Sequence, residues 1–204
     1  THFASSDEGN GGKDYTMWQF YSFTHAVDTL VRHGADPGIR HCANSAAIFD
    51  YPQTRLDMVR AGIVLYGLAP SDKMNNLPHI KPCLELFSII DHVKTVRKNE
   101  PVSYGRDFVA LQDMKVATIP VGYADGLWRS NYRNGLSVSV GDGRAPVIGR
   151  ICMDQCMIDI SGIDGAGVGS VVKLYAAHGP NSLDSLAKAN STINYEIACA
   201  VGHR

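Results

Sequence analysis

The sequence predicts two consecutive parts of different class, an α/β part followed by a mostly-β part. Three observations carry this. Up to about residue 77, apolar segments that read as strands alternate with helical stretches; from about 84 to 177, short strand-like runs follow one another; residues 182–202 then read as two short helices. Strand alternating with helix implies a parallel sheet or barrel. The polar stretch 71–78, closed by Pro78, is the expected linker, so the domains are expected at residues 1–80 and 81–204.

Each element has a local reason. Residues 15–33 put Phe20, Phe23, Val27, Leu30 and Val31 on one helical face and stop at Gly34, with Pro37 beyond, which is a helix ending. Apolar segments at 39–43 and 58–65 flank a short helix at 45–49. In the second part, strands are expected at 84–96, 115–123, 136–140, 146–160 and 171–176, with Gly141-Asp142-Gly143 as a hairpin turn.

Composition removes several function classes. The 204 residues are 45% hydrophobic and 19% charged, which describes a globular chain. Lys+Arg 19 against Asp+Glu 20 gives a formal charge of -1, and no run of like charge offers a nucleic-acid or membrane surface. The longest stretch without a charged residue, 15–27, is too short and too polar to span a bilayer. The sequence opens at Thr1 with neither Met nor a basic-then-apolar stretch, so no signal peptide is visible in it and Thr1 is not expected to be the natural start. Five cysteines (Cys42, Cys83, Cys152, Cys156 and Cys199), without paired spacing, read as free thiols in a reducing, cytoplasmic setting and as small core residues. On an extended strand Cys152 and Cys156 would stand about 13 Å apart, too far for a disulfide or a shared metal, and no metal site is expected.

Three features could carry chemistry. Asn44-Ser45-Ala46-Ala47 lies where a strand gives way to a helix; a serine hydroxyl with open backbone N–H groups is a phosphate seat, and an ordinary helix cap explains the same residues. Arg60-Ala61-Gly62-Ile63 sets a charge and a glycine within an apolar segment, which suits either close approach of a ligand or simple packing. Tyr104 and Tyr123 sit in glycine-rich settings, as acid–base groups or as packed aromatics. His2 and His41 admit both a structural and a catalytic reading.

Taken in order, residues 1–4 (THFA), 42–47 (CANSAA), 59–63 (VRAGI), 66–68 (YGL), 102–105 (VSYG), 122–126 (GYADG), 149–155 (GRICMDQ) and 192–196 (TINYE) closely resemble the alanine racemase family over essentially the whole chain. The resemblance implies the second half of a (β/α)8 TIM-type barrel followed by a mostly-β domain, and dependence on pyridoxal 5'-phosphate. It implies interconversion of L- and D-alanine, supplying D-alanine to the bacterial cell wall, by proton exchange at Cα with a base on each face. A serine/alanine racemase, or a non-catalytic cofactor-binding and dimerising module, are the alternatives.

Carried over residue by residue, the resemblance makes Ser45, Gly62, Ile63 and Tyr195 the phosphate seat. Arg60 would face the pyridine nitrogen; a guanidinium cannot hand over a full proton, so less negative charge enters the ring than with a carboxylate partner. His41 would back Arg60, and His2 would lie near the tyrosine base and the cofactor. Tyr104 would be one base, contributed across a homodimer interface with Met153 and Asp154, while Tyr123 lines the pocket entrance. The sequence also departs from the family. None of its eight lysines stands in the context of the cofactor-binding lysine that serves as the second base. Thr1 falls at a mid-protein barrel strand, and the family commonly carries tyrosine at the His203 position and runs a few residues further. The chain is therefore expected to need an N-terminal half and a second copy to be active.

Overall fold

The computed structural model describes residues 1–77 and 79–202; the linker's closing Pro78 and the His203 position lie outside the described residues. The chain divides into two compact units, Thr1–Pro82 and Cys83–Arg204.

In the first unit, α1 (Lys13–Arg32) carries Asp14 in its first turn and Arg32 in its last, each of the sign the helix dipole favours. Its end is a Schellman motif. Gly34 adopts a left-handed φ of 79°, its N–H bonds the Val31 carbonyl, and Ala35 N–H reaches back to Leu30. The buried stripe runs through Thr16 and Val27, with Met17, Phe20 and Phe23 packing on a core of Phe3, Cys42, Ala43, Ala47 and Tyr51. Leu30 and Val31, expected on that face, are about half exposed and lie outside that core cluster.

Asn44 caps α2 (Ser45–Asp50), its Oδ1 accepting from Ala47 N–H and from the Ser6 hydroxyl. Segments 39–43 and 58–65 were expected as strands; they meet in a single parallel bridge, His41 with Met58, and Ile63–Tyr66 is a 3-10 turn. A lone pair of segments has no further neighbour to extend a ladder among the described residues. Side chains hold the bridge instead: Arg40 Nε and Nη2 donate to both Asp57 carboxylate oxygens at 2.7 and 2.8 Å. Those bonds hold the Asp57 carboxyl down at about 2.

The second unit is built on a curled seven-stranded antiparallel sheet with a two-stranded ribbon beside it. Its strands are β1 (Leu86–Ile89), β2 (His92–Val96), β3 (Pro101–Val102), β4 (Phe108–Val109), β5 (Met114–Ile119), β6 (Ser137–Val140), β7 (Gly143–Ile148), β8 (Cys156–Asp159) and β9 (Val171–Tyr175). Seven of them pair in the order β1-β9-β6-β7-β8-β5-β2, and β3 pairs with β4 as a separate ribbon. The expected single strand 84–96 is thus two strands at opposite ends of the order. The chain bends at buried Ile90, whose N–H bonds Ser170, while the next N–H, of Asp91, bonds Thr118 on the other side. Alternate residues Val138, Val140, Cys156, Ile158, Val172 and Leu174 point into the sheet's core. A second cluster of Val96, Val102, Ala110, Met114, Val116 and Ile148 supports the ribbon. The two-residue turn between β6 and β7 places Gly141 at φ 56°, as its glycine promised. Helices α3 (Leu183–Ala189) and α4 (Asn194–Ala200) close the unit, tied by Asn194 Nδ2 to Asp184 at 2.7 Å.

Two further expectations are corrected. The strand expected at 146–160 is broken into β7 and β8 by a loop that starts at Gly149, φ 67°, so the extended spacing assumed between Cys152 and Cys156 does not apply. All five cysteines are thiols, but only Cys42 and Cys156 are buried; Cys152 is half-buried, and Cys83 and Cys199 are exposed, at the unit boundary and on the outer face of α4. Desolvation pushes the Cys156 thiol up to about 12, and it raises Cys42 as well. In the native protein at pH 8, Cys199 should therefore alkylate with iodoacetamide while Cys156 reacts only after unfolding, as peptide mass spectrometry would read. Rapid labelling of Cys156 without denaturant would contradict this burial. Among the described residues no helix is long and apolar enough to cross a membrane.

Candidate active site

In the first unit, the candidates gather around two short segments. Ser45 opens α2 but does not cap it. Its buried Oγ accepts the N–H of Gly62 at 2.8 Å, which leaves the hydroxyl proton to donate elsewhere. A side chain at Gly62 would begin 3.4 Å from that oxygen, so glycine keeps the space in front of the hydroxyl open. Ile63 is the first residue of its 3-10 turn, where an N–H has no acceptor within the turn. A serine O–H and a backbone N–H around an open space are neutral donors that suit a phosphate oxygen.

Two residues before Gly62, the Arg60 guanidinium is held on several sides. Nη1 bonds His41 Nδ1; Nη2 donates to the Thr1 carbonyl at 2.8 Å and the Cys42 carbonyl at 3.3 Å, and lies 3.1 Å from His2 Nδ1. A guanidinium only donates, so His41 Nδ1 accepts from Nη1, while the two protons of Nη2 are shared among the two carbonyls and His2 Nδ1. The backbone is pinned too, Arg60 N–H bonding the Ala43 carbonyl at 2.9 Å. Arg60, His41 and His2, which the sequence could only treat as three separate signals, form one polar cluster. The carbonyls of Thr1 and Cys42 complete it; backbone acceptors leave no mark in side-chain chemistry, and sequence reasoning missed them.

In the second unit, Tyr104 opens a 3-10 turn (Tyr104–Arg106) and is 68% exposed. The backbone around it is strained. Ser103 has φ 69° and ψ 180°, a region that belongs essentially to glycine, and Arg106 has φ 53°. Each such residue costs about 1–3 kcal/mol, and such strain concentrates at functional sites.

The turn holding Tyr123 begins at Gly122 and is stitched to the loop 149–155. Tyr123 N–H bonds the Cys152 carbonyl at 3.0 Å, and Ala124 N–H bonds the Met153 carbonyl at 2.9 Å. Gly122 lies so close that a Cβ there would meet the Cys152 oxygen at 2.3 Å. Tyr123, Met153 and Asp154, all exposed, are thereby brought to one neighbourhood. Tyr195 is half-buried on α4.

The chain matches two family models in succession, "Alanine racemase, N-terminal domain" over residues 1–70 and "Alanine racemase, C-terminal domain" over residues 83–204. It is 44% identical to an alanine racemase of Methanococcus maripaludis and 46% identical to one of Desulfovibrio desulfuricans, in each case over 100% of this chain and 54% of the relative. Among solved structures, Clostridium difficile alanine racemase in complex with cycloserine superposes with a TM-score of 0.90 at 39% identity, covering 100% of this chain and 53% of that one. The Bacillus anthracis alanine racemase with bound L-Ala-P superposes at 0.88 with 33% identity, covering 99% of this chain and 52% of that one. The chain thus spans about half the length of the relatives it matches, and its two-part layout, barrel part and then β domain, is theirs. With family models covering both of its units in order, this chain belongs to the alanine racemase family.

Proposed function

We propose that the protein carrying this chain is a pyridoxal phosphate-dependent racemase that interconverts L- and D-alanine, and that residues 1–80 are the second half of its (β/α)8 barrel. The parallel bridge between His41 and Met58 on either side of α2 supports a strand-helix-strand unit of that barrel. The observation that carries the functional reading is the Arg60 guanidinium held by both histidines two residues from the Ser45–Gly62 seat.

The residues fit the cofactor. Ser45 Oγ keeps its proton for a phosphate oxygen, the space that a Cβ at Gly62 would narrow is open, and the N–H of Ile63, first in its 3-10 turn, is a further donor. Arg60 is assigned to the pyridine nitrogen, where a permanently protonated donor shares a hydrogen bond without giving up its proton. When bound, the cofactor supplies an electron-accepting ring that makes the amino acid's Cα–H acidic. The protein must then take a proton from one face and return one to the other.

Tyr104 Oη is assigned one of those faces; its exposure in a single copy fits a group delivered, with Met153 and Asp154, into the site of a second subunit. The opposite face belongs to a lysine in this family, and no lysine here is a candidate for it. His41 and His2 hold Arg60 through their Nδ1 atoms, and Tyr123 lines the entrance.

Conversion of L-alanine to D-alanine by the complete protein with pyridoxal phosphate tests the reading; a protein that binds the cofactor but exchanges no Cα proton would refute it. Ser45→Ala removes a hydroxyl donor to a charged group, and it should raise the Kd for the cofactor about tenfold or more in a fluorescence titration of the apoprotein. An unchanged Kd would remove Ser45 from the seat.

A further inference from the structure

Tyr104 is mostly exposed in a single copy, so its own chain packs little against the ring. The position of its hydroxyl comes from the backbone of its turn, and the turn is gripped from one side by Arg150. Ser103 Oγ donates to the Arg150 carbonyl at 2.6 Å. The Arg150 guanidinium lies flat against Gly105, where a Cβ would meet Cζ and Nη1 at 2.9 Å. Beyond it, Arg150 Nη2 donates to Asp107 Oδ1 at 3.1 Å, and Nε lies 3.1 Å from Oδ2. Asp107 follows the last residue of the turn, and the Arg106 N–H closes the turn onto the Ser103 carbonyl at 3.2 Å. Gly149 is required on the other side, since a Cβ there would meet Ser103 Cβ at 2.7 Å.

We propose that Ser103, Arg150 and Asp107 form a clasp around the Tyr104 turn and act as positioning residues for proton transfer at Tyr104 Oη. One hydroxyl, one guanidinium and one carboxylate bracket the turn before and after the tyrosine, and together they hold Ser103 in a conformation that serine does not adopt by itself. The inference rests on the reading of Tyr104 as the base for one face.

The two faces make it separable from a merely structural role. In the complete enzyme loaded with pyridoxal phosphate, solvent deuterium incorporation at Cα is followed separately for L- and D-alanine. Ser103→Gly, which relaxes the backbone but removes the hydroxyl, and Asp107→Asn, which keeps the shape but removes the charge, should each slow exchange of one enantiomer about tenfold. The other enantiomer should change less than twofold. Amide exchange at Arg106, read without substrate, should rise in both variants. Equal slowing of both enantiomers, or none, overturns the clasp. Tyr104→Phe is measured alongside: if it silences one enantiomer while the clasp variants do not discriminate, only the clasp falls; if it silences neither, the assignment of Tyr104 falls and the clasp with it.

Discussion

Replacing Tyr104 by Phe in the complete enzyme should lower interconversion of L- and D-alanine by about a hundredfold or more, the usual contribution of a positioned acid–base group. The substitution removes one oxygen from an exposed ring, so folding is not at stake. The loss should fall in kcat, with little change in KM, since in the proposed role the hydroxyl acts on the proton in flight and not on the bound amino acid. A second signature is sharper. With the base on the opposite face intact, one enantiomer should still exchange its Cα hydrogen with solvent deuterium while net racemisation stops. NMR of alanine incubated in D2O reads both. Residual racemisation within a few-fold of the parent would show that Tyr104 is not one of the two bases.

The largest structural effect is expected from Gly122→Ala. A Cβ at Gly122 would stand 2.3 Å from the Cys152 oxygen and 2.4 Å from the Met153 carbonyl carbon and oxygen. All three are backbone atoms, which cannot swing aside as a side-chain tip can. The turn around Tyr123 and the loop around Met153 must part, losing the bonds from Tyr123 N–H to Cys152 and from Ala124 N–H to Met153. Overpacking of this kind costs about 3 kcal/mol, which for a folding unit of 150–250 residues lowers Tm by roughly 6–12 °C. Gly162→Ala is the matched control: nothing lies within 4 Å of its Cβ direction, and Tm should move by less than about 2 °C. Calorimetry on both variants decides it, and a Gly122→Ala protein as stable as its parent would mean the loops are not closely apposed.

How much was legible beforehand varies with the range of the interaction. The end of α1 at Gly34 and the turn at Gly141 depend on the conformation of a residue or two, and both followed from the sequence. Positions of the β strands followed in outline, but residues 84–96 and 146–160 each read as one strand and proved to be two. Apolar runs do not reveal a bend at Ile90 that sends successive strands to opposite ends of a sheet, since that bend is set by pairing with Ser170 and Thr118, far along the chain. Burial was expected for all five cysteines and holds for Cys42 and Cys156 alone, for a related reason. A small apolar side chain is at home in a core, but whether a core is there depends on the fold, and Cys83 and Cys199 are exposed.

The site divides in the same way. Residue types and their order, Ser45, Arg60, Gly62, Tyr104, Tyr123, Met153, Asp154 and Tyr195 among them, are properties of the sequence, and it is their resemblance to the alanine racemase family, not any one of them, that raised the expectation of a racemase with a phosphorylated cofactor. Only tertiary structure decided that Asn44 and not Ser45 caps α2, which leaves Ser45 for Gly62. It also decided that His41, His2 and two carbonyls share the Arg60 guanidinium, and that Arg150 grips the turn of a tyrosine 46 positions earlier in the sequence. The physical reason is that caps and turns are settled within a few residues by backbone geometry, whereas a hydrogen bond forms with whichever partner the completed fold brings within about 3 Å.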